Sequence, residues 1–353
     1  MSLLGELRET IAQEGPIPVE RYMALCLGHP VHGYYRRKDP FGAAGDFTTA
    51  PEISQIFGEL VGLWAVTVWE AMGAPPFRLV ELGPGRGTLM QDLLRAARVR
   101  PAFLEAAAID LVETSPVLRD IQRERLGGAP VAWRERIEEV PDGPAIVVAN
   151  EFFDALPVRQ YVRTGRGWCE RLVGLEGERL AFGLAPEPAP IAAQAPLGAV
   201  LEVPEASLAI VRGLARRLVA QGGAALVIDY GFEGPAFGET LQAVRRHSYA
   251  DPLAEPGEAD LTAHVDFSAL ARAGAGAAVH GPAPQGDFLR ALGIEARAGA
   301  LKARASPRQA ADIDAALARL TGSGPEAMGS LFKALALADP RLPPLPGFAR
   351  SMS

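Results

Sequence analysis

The feature that most constrains this chain is a glycine turn that follows an apolar run. Residues 79–87 read LVELGPGRG, which places Glu81 just before Gly83, Gly85 and Gly87. Glycine enters the φ > 0 region without a Cβ clash, so a strand, a tight turn and a helix are predicted in succession. The free N–H groups at the start of that helix attract polar and anionic groups of a ligand. The stretch therefore predicts an α/β fold with a nucleotide-like ligand at the turn.

Two ligands fit such a turn. A dinucleotide site has the spacing G-x-G-x-x-G with pyrophosphate on the helix N-terminus, whereas this turn reads G-x-G-x-G. Glu81 would repel a pyrophosphate but would attract the α-ammonium group of S-adenosyl-L-methionine (SAM). The pattern favours SAM, with Glu81 and the three glycines as cofactor-binding residues. A plain strand–helix turn without a ligand is the alternative.

A second acidic residue ends the next apolar run. The predicted strand Ala106–Val112 is followed by Glu113, and Ser115 and Pro116 then form a good helix start. A carboxylate at this place can accept two hydrogen bonds from a ribose diol. Dinucleotide enzymes use the same contact, so Glu113 indicates a ribose and not SAM in particular. A solvated residue at a helix start is the alternative.

The segment Asn150–Val158, which reads NEFFDALPV, follows another buried strand. Functional groups of parallel sheets lie beyond the carboxyl ends of the strands, so we expect this segment at the ligand site. The carboxylates of Glu151 and Asp154, set among aromatic residues, are suited to a cationic group, and above all to a guanidinium. Alternatively, Asn150 and Asp154 hold the turn by bonding its backbone.

Four further residues are weaker candidates. Asp46 and Thr48 lie in a stretch without helical periodicity that could fold over SAM, although Asp46 equally fits a local turn. Trp133 ends the third predicted strand, where it is either an adenine platform or a core residue. His264 could contact the substrate or relay a proton, or it orders a strand through backbone bonds.

Residues 77–150 alternate between apolar strands and helical patterns, which predicts a parallel sheet with helices on both faces. Residues 1–76 are predicted to be mostly helical, residues 151–353 mix short strands and helices, and the stretch from Ser306 to Leu337 is predicted to be helical.

Composition fits a soluble enzyme. The 353 residues carry a net charge of −7, without the basic stripe of a general nucleic-acid binder. The apolar runs are too short to span a membrane. Cys26 and Cys169 are far apart, so we expect no zinc site and no other metal. The acidic segment 1–14 argues against a mitochondrial presequence, and a cytoplasmic location is expected.

Several longer motifs occur in a fixed order. They are Gly28–Tyr35 (GHPVHGYY), Gly45–Ser54 (GDFTTAPEIS), Glu81–Gly87 (ELGPGRG), Asn150–Pro157 (NEFFDALP), Ile228–Gly231 (IDYG), Asp260–Phe267 (DLTAHVDF) and Met328–Lys333 (MGSLFK). In this combination the chain resembles the MidA family of SAM-dependent methyltransferases, which includes an assembly factor of mitochondrial respiratory complex I.

The resemblance implies a class I, Rossmann-like SAM-methyltransferase fold. Its mostly parallel sheet would occupy residues 77–353, preceded by a helical N-terminal extension over residues 1–76 that contributes to the cleft. Inserted α+β cap segments are expected at approximately 159–204 and 232–300.

The resemblance also implies an activity. The mitochondrial relative is described as dimethylating an arginine, so we expect a protein arginine N-methyltransferase that acts on a complex I (NADH dehydrogenase) subunit during assembly. A homodimer is left open. The expected catalytic residues are Glu151 as the guanidinium clamp, Asp154 second, and His264. The expected cofactor-binding residues are Asp46, Thr48, Glu81, Gly83, Gly85, Gly87, Glu113, Trp133 and Asn150.

Other functions remain open at this point. A non-catalytic SAM-binding assembly chaperone and a small-molecule methyltransferase both fit the motifs. A nicotinamide-dependent dehydrogenase fits less well, because its acidic residue follows the turn by about 20 residues. Here Glu113 lies 30 residues after Gly83.

Overall fold

The computed structural model describes residues 2–37, 39–40, 42, 46–324 and 327–348. Gly45, which opens one of the motifs above, lies outside these residues. The N-terminal extension comprises α1 (Leu3–Glu14), β1 (Ile17–Pro18), α2 (Val19–Gly28), α3 (Tyr34–Arg37), α4 (Ala50–Ile53) and α5 (Gln55–Ala71).

The remaining elements follow in two groups. The first comprises β2 (Phe77–Leu82), α6 (Thr88–Ala96), α7 (Pro101–Ala106), β3 (Ala107–Val112), α8 (Pro116–Arg125), β4 (Val131–Arg134), β5 (Ala145–Asn150), β6 (Arg159–Thr164), β7 (Gly167–Glu176), β8 (Arg179–Ala189), β9 (Val200–Val203), α9 (Glu205–Gln221) and β10 (Gly223–Phe232). The second comprises β11 (Gln242–Arg245), β12 (Ser248–Ala250), β13 (Asp260–Thr262), β14 (Val265–Asp266), α10 (Phe267–Ala273), β15 (Ala278–Pro284), α11 (Gln285–Ala291), α12 (Ile294–Lys302), α13 (Pro307–Thr321), α14 (Met328–Leu331) and β16 (Phe332–Ala338).

A large sheet forms the centre of the molecule. Its strand order is β15-β16-β10-β5-β2-β3-β4, and β14 pairs with β10. The pairs from β4 to β10 are parallel, whereas β16 and β15 are antiparallel additions at one edge. This mostly parallel sheet with helices on both faces confirms the predicted fold class.

The strands are apolar on both faces because helices cover both. On β5, Ile146 and Val148 pack in a cluster with α5 and α6, whereas Val147 and Ala149 pack in a cluster with α9 and α10. Successive side chains of a strand point to opposite faces, so a fully apolar run is what a central parallel strand requires. The sheet is thereby fixed in position, with its carboxyl edge free for a ligand.

The extension and the insertions share a second core. An antiparallel sheet, β1-β7-β6-β9 with β8 on β7, and a small sheet, β12-β11-β13, lie beside the large one. Buried residues of α1 and α2 pack with residues of β7 and β13, among them Leu7, Tyr22, Val173 and Leu261. The extension is therefore mostly helical, as expected, but it also contributes β1 to the inserted sheet.

Two expectations about the later chain are wrong. The stretch up to Leu337, predicted to be helical, holds α13 but ends in the buried strand β16. Five of the seven β16 residues are completely buried, and the strand pairs with β15 on one side and β10 on the other, so this alanine- and leucine-rich run is a buried strand. The segment 232–300 also contains β15, which pairs with β16 in the large sheet and is not part of a cap. Among the described residues, the structure contains no helix both long and apolar enough to cross a bilayer.

Gly223, at the start of β10, allows a test of strand packing. Its φ is +118°, and a Cβ there would lie 1.9 Å from the Ala145 carbonyl oxygen. Gly223→Ala is expected to lower the free energy of unfolding by about 2 kcal/mol or more, measured by urea denaturation. Gly213→Ala, inside α9 with open space around it, is the control and should raise it by about 0.5–1 kcal/mol. Equal stability of the two variants would contradict this packing.

Candidate functional site

A cavity of about 780 Å³ lies beyond the carboxyl ends of β2, β3, β5 and β10. The N-terminal extension and the small sheet β12-β11-β13 contribute its other walls. Seven of the residues predicted from the sequence line it: Thr48, Gly83, Gly85, Glu113, Glu151, Asp154 and His264. A smaller cavity of about 30 Å³ adjoins the glycine turn and is lined by Glu81 and Asn150 as well as by Gly83, Gly85 and Glu151.

The glycine turn has the backbone that its sequence predicts. Gly83, Gly85 and Gly87 have φ values of 62°, 53° and 77°, and Gly87 is the residue before α6. A Cβ on Gly83 would lie 2.8 Å from the Phe152 ring. A residue larger than glycine therefore does not fit at Gly83. At this position the backbone itself forms the cavity wall.

Two residues that line the smaller cavity each have a buried acceptor atom without a hydrogen-bond partner among the described residues. These atoms are Oε2 of Glu81 and Oδ1 of Asn150. Burial raises the pKa of Glu81 to about 8, although a backbone donor from Met90 opposes this. Buried polar atoms normally have partners, so these two oxygens and the glycine turn fit a bound group with N–H donors, such as an α-ammonium.

Glu113 presents its carboxylate at the end of β3, on the wall of the larger cavity. Its Oε1 accepts the Ser115 N–H (2.7 Å), and its Oε2 accepts Nε2 of Gln122 (3.3 Å). Burial raises its pKa to about 6. A carboxylate has about four acceptor positions, so Glu113 keeps capacity for the hydroxyl groups of a ribose.

Glu151 lies between the two cavities and lines both. Its φ is +51°, a region that non-glycine residues seldom occupy and that often marks functional sites. Its Oε1 accepts the Ala50 N–H (2.8 Å) and Nδ2 of Asn150 (3.1 Å). Burial raises its pKa to about 7, and the negative charge of Asp154 adds to this.

Asp154 is held by residues of two separate segments, the end of β10 and the residues after β13. Its N–H donates to Asp229 (3.2 Å), its carbonyl accepts the Ala263 N–H (3.0 Å), and its carboxylate accepts the Tyr230 hydroxyl. Burial raises the pKa of Asp154 to about 6. The side chain is buried and faces the larger cavity.

His264 lines the larger cavity with its ring edge-on to Tyr230, 5.2 Å between ring centres. Its backbone N–H donates to Oγ1 of Thr240 (2.8 Å). Burial lowers the pKa of the imidazole, which keeps the ring neutral near pH 7. Both roles considered from the sequence are thus compatible with its position.

Asp46, Gly87 and Trp133 line neither cavity. The Asp46 carboxylate accepts the Tyr34 hydroxyl (2.6 Å) and the Arg246 N–H (2.8 Å), so it holds protein segments together. Trp133 donates to Oε1 of Gln122 (2.8 Å) and supports the residue that binds Glu113. Neither side chain lines a cavity, and the cofactor-binding roles expected of Asp46 and Trp133 stay predictions.

Several cavity residues escaped the sequence interpretation. They are Tyr35, Tyr230, Gln242, Asp260 and Thr262. The Tyr35 hydroxyl donates to Oδ1 of Asp260 (2.8 Å), and Nε2 of Gln242 donates to Oγ1 of Thr262 (3.2 Å). Four of these residues, all except Gln242, lie within the motifs quoted above, which was the available signal. Among the described residues no group of three or more His, Cys, Asp or Glu side chains could hold a metal ion.

Comparison with known proteins gives consistent matches. The family model of S-adenosyl-L-methionine-dependent methyltransferases matches residues 60–283. The protein arginine methyltransferase NDUFAF7 homolog of Drosophila melanogaster, mitochondrial, is 40% identical over 95% of this chain and 84% of that protein. Mouse NDUFAF7, a mitochondrial protein arginine methyltransferase, is 41% identical over 84% of this chain and 75% of that protein.

Two solved structures are similar over nearly the whole chain. A COG1565 superfamily protein from Burkholderia thailandensis, crystallised with S-adenosyl-homocysteine, has a TM-score of 0.85 at 32% identity, covering 99% of this chain and 94% of that one. A native structure from the same organism has a TM-score of 0.83 at 33% identity with the same coverage.

The expected cytoplasmic location is wrong by this comparison, because the curated relatives are named as mitochondrial proteins. The expectation rested on the acidity of segment 1–14. In the structure this segment forms α1, whose Leu3, Leu7 and Ile11 are buried. Its composition therefore reflects a folded helix and carries no information about location.

Glu81 provides a test of the smaller cavity. We expect Glu81→Gln to weaken binding of S-adenosyl-homocysteine about tenfold or more, since a charge-assisted hydrogen bond is lost. In the unmodified protein, affinity should rise as the pH approaches 8, because only the carboxylate attracts an ammonium group. Calorimetry across this pH range measures both effects, with the exposed Glu178→Gln as control. Unchanged affinity in Glu81→Gln would rule out this contact.

The same residue makes a prediction about stability. The folded carboxyl has a pKa of about 8, above its ordinary value of 4.5, so the ligand-free folded state binds the proton more tightly than the unfolded state. The contribution of Glu81 to stability therefore falls as the pH rises from 4.5 through 8. Glu81→Gln should remove this dependence. The melting temperature of the variant minus that of the unmodified protein should therefore become more positive as the pH rises.

Asp229 allows a test of how the segment 151–154 is held. Asp229→Asn places an amide nitrogen against backbone N–H groups, leaving at least one buried donor unpaired. The free energy of unfolding should fall by roughly 1–3 kcal/mol. Urea denaturation measures this against Asp312→Asn, an exposed control on α13. Equal stability of both variants would show that Asp229 does not organise the segment.

Proposed function

Because this chain belongs to the family of SAM-dependent methyltransferases, we propose that it transfers the methyl group of SAM to an arginine side chain of a protein. The predicted resemblance to the MidA family, the enzyme class and the cofactor are confirmed by the family match and by the related structure with S-adenosyl-homocysteine. The acceptor is the part that we propose.

The charge of the larger cavity carries this proposal. Among the described residues that line it, Arg136 is the one arginine or lysine, whereas six residues are acidic: Glu113, Glu135, Glu138, Glu151, Asp154 and Asp260. Low-polarity walls strengthen the attraction between these carboxylates and a cation. A guanidinium, which is always charged and pairs well with carboxylates, suits this cavity better than an anionic or neutral acceptor.

The cofactor would occupy the region of the glycine turn. Glu81 and Asn150 supply acceptors for its ammonium group, and Glu113 supplies an acceptor for its ribose. When bound, SAM supplies an electrophilic methyl group on a sulfonium. The assignment of Glu81 and Asn150 rests on their two unpartnered oxygens, and that of Glu113 on its place at the end of β3.

Glu151 has the central role in the proposed chemistry. It touches both cavities, so its carboxylate reaches the acceptor beside the cofactor region. Its Oε1 is fixed by two donors, which leaves Oε2 to meet an acceptor nitrogen. With a pKa of about 7, Glu151 can accept the proton that this nitrogen loses as its bond to the methyl carbon forms.

The other acceptor-side residues orient and dry the site. Asp154, held by Tyr230, offers a second carboxylate to the guanidinium and so helps to direct one nitrogen. Phe152, Leu156 and Phe332 contribute apolar wall that keeps water away from the reacting atoms. His264, neutral near pH 7, remains a candidate for substrate contact.

Two finer expectations stay predictions. One is that the acceptor arginine belongs to a complex I subunit, and the other is a homodimer. The assembly-chaperone alternative lacks a specific observation in its favour, since the glycine turn and Glu151 are intact. A small-molecule acceptor remains the competitor that the first experiment must test.

The proposal is tested by adding the protein and isotope-labelled SAM to lysate of a strain that lacks this gene, and by measuring methyl transfer. We expect label on arginine residues of protein, identified by mass spectrometry. Glu151→Gln should retain affinity for S-adenosyl-homocysteine within about twofold but lose at least 100-fold in turnover, since general-base contributions are of that order. Glu187→Gln, an exposed change on β8, is the matched control.

Each other outcome has a definite meaning. Label confined to small molecules would refute the protein acceptor. Loss of S-adenosyl-homocysteine binding in Glu151→Gln would assign Glu151 to the cofactor. An absence of label with intact cofactor binding would favour the chaperone.

A further inference from the structure

The mouth of the larger cavity carries two exposed apolar side chains. Tyr249 on β12 is 81% exposed, the highest value among the large hydrophobic residues described, and Leu331 at the end of α14 is 45% exposed. Both also line the cavity. We call these two residues the rim. They come from separate sheets, because β12 belongs to the small sheet whereas α14 leads into β16 of the large one.

An exposed tyrosine at a cavity mouth is suited to binding a polypeptide. Tyrosine offers a large apolar face and a hydroxyl at low cost in side-chain entropy, and it is enriched among the residues that dominate protein interfaces. A small acceptor enclosed by the cavity would have no contact with the outward face of such a ring. The residues that flank an arginine in a protein chain would meet it as the arginine enters.

The hairpin that carries Tyr249 is held rigidly. Its turn residues Arg246 and His247 have φ values of 51° and 60°, which non-glycine residues adopt at a cost. Asp46 holds this turn twice: its carboxylate accepts the Arg246 N–H (2.8 Å), and its carbonyl accepts the His247 N–H (3.2 Å). A rigid contact loses less entropy on binding.

The position of Asp46 connects this hairpin to the reaction site. Asp46 also accepts the Tyr34 hydroxyl and is followed by Phe47 and Thr48, which line the cavity. A few residues further on, the Ala50 N–H donates to Glu151. One short segment therefore holds both the hairpin at the mouth and the carboxylate at the centre.

We propose that the rim, Tyr249 and Leu331, binds the polypeptide that carries the acceptor residue, and that Asp46 is the positioning residue that presents Tyr249. This inference rests on the proposed function, because it requires a protein acceptor. In this proposal the mouth of the cavity selects protein over free small molecules. The interior of the cavity binds the side chain of the acceptor arginine.

The test is methyl transfer into protein of the gene-deleted lysate, measured over a dilution series with labelled SAM. We expect Tyr249→Ala to lower the rate of methyl transfer about tenfold in dilute lysate. In concentrated lysate its rate should approach that of the unmodified protein, because the substitution raises KM for the acceptor protein. Leu331→Ala should do the same more weakly. Tyr249→Phe should retain most of the activity, and Leu197→Ala, 74% exposed and away from the cavity, is the control.

Two further readouts separate this role from a general structural one. Calorimetry should give the same affinity for S-adenosyl-homocysteine in Tyr249→Ala as in the unmodified protein, within about twofold. Asp46→Ala should reproduce the KM effect and should speed amide hydrogen exchange at Arg246 and His247, whereas Tyr249→Ala should leave that exchange slow.

The outcomes distinguish this inference from the proposed function. Tyr249→Ala and Leu331→Ala could label protein in dilute lysate as fast as the control does. That result would overturn the proposal that the rim binds the polypeptide, and it would leave the methyltransferase assignment in place. Label in small molecules alone, with every variant equal, would overturn both. A fall in maximal rate without a KM effect would assign Tyr249 to the interior chemistry and also overturn the rim.

Discussion

The candidate site depends on one buried carboxylate that is not itself in the cavity lining. Asp229, at the carboxyl end of β10, accepts the N–H groups of Phe152, Phe153 and Asp154 at 2.9–3.2 Å and that of Tyr230 at 2.9 Å. Burial raises its pKa, while these donors act in the opposite direction. The bonds fold the chain sharply after β5. They thereby set Glu151 at its positive φ and direct Asp154 inward.

The proposed function divides the site into a cofactor half and an acceptor half, and the two are built in different ways. The cofactor half uses neighbours in sequence: a strand, a glycine turn and a helix, with Glu113 one strand away. The acceptor half draws on the extension, the segment after β5 and the small sheet. Asp154 by itself is an example, because it contacts both Asp229 and Ala263, which are distant in sequence. Variation in the acceptor half can therefore change what is methylated while the cofactor half stays the same.

The same difference explains what could be predicted from the sequence. The glycine turn, Glu81 and the parallel strands follow from local patterns, because each depends on adjacent residues. The helix expected near Leu337 failed because tertiary packing overrides the helix propensity of alanine, since β16 is buried and pairs with a strand on each side. The contacts of Asp46 could not be predicted, since its partner Arg246 is 200 residues away. The exposure of Tyr249 likewise depends on how distant segments pack.

The core shared by the extension and the insertions has a consequence for synthesis. Ile17 on β1 pairs with Val173 on β7, which leaves the ribosome about 150 residues later. At ordinary translation rates this interval is roughly 8 to 30 s. During it the apolar faces of α1 and α2 have no native partner from the later chain, and so they are a natural place for a chaperone to bind the nascent protein.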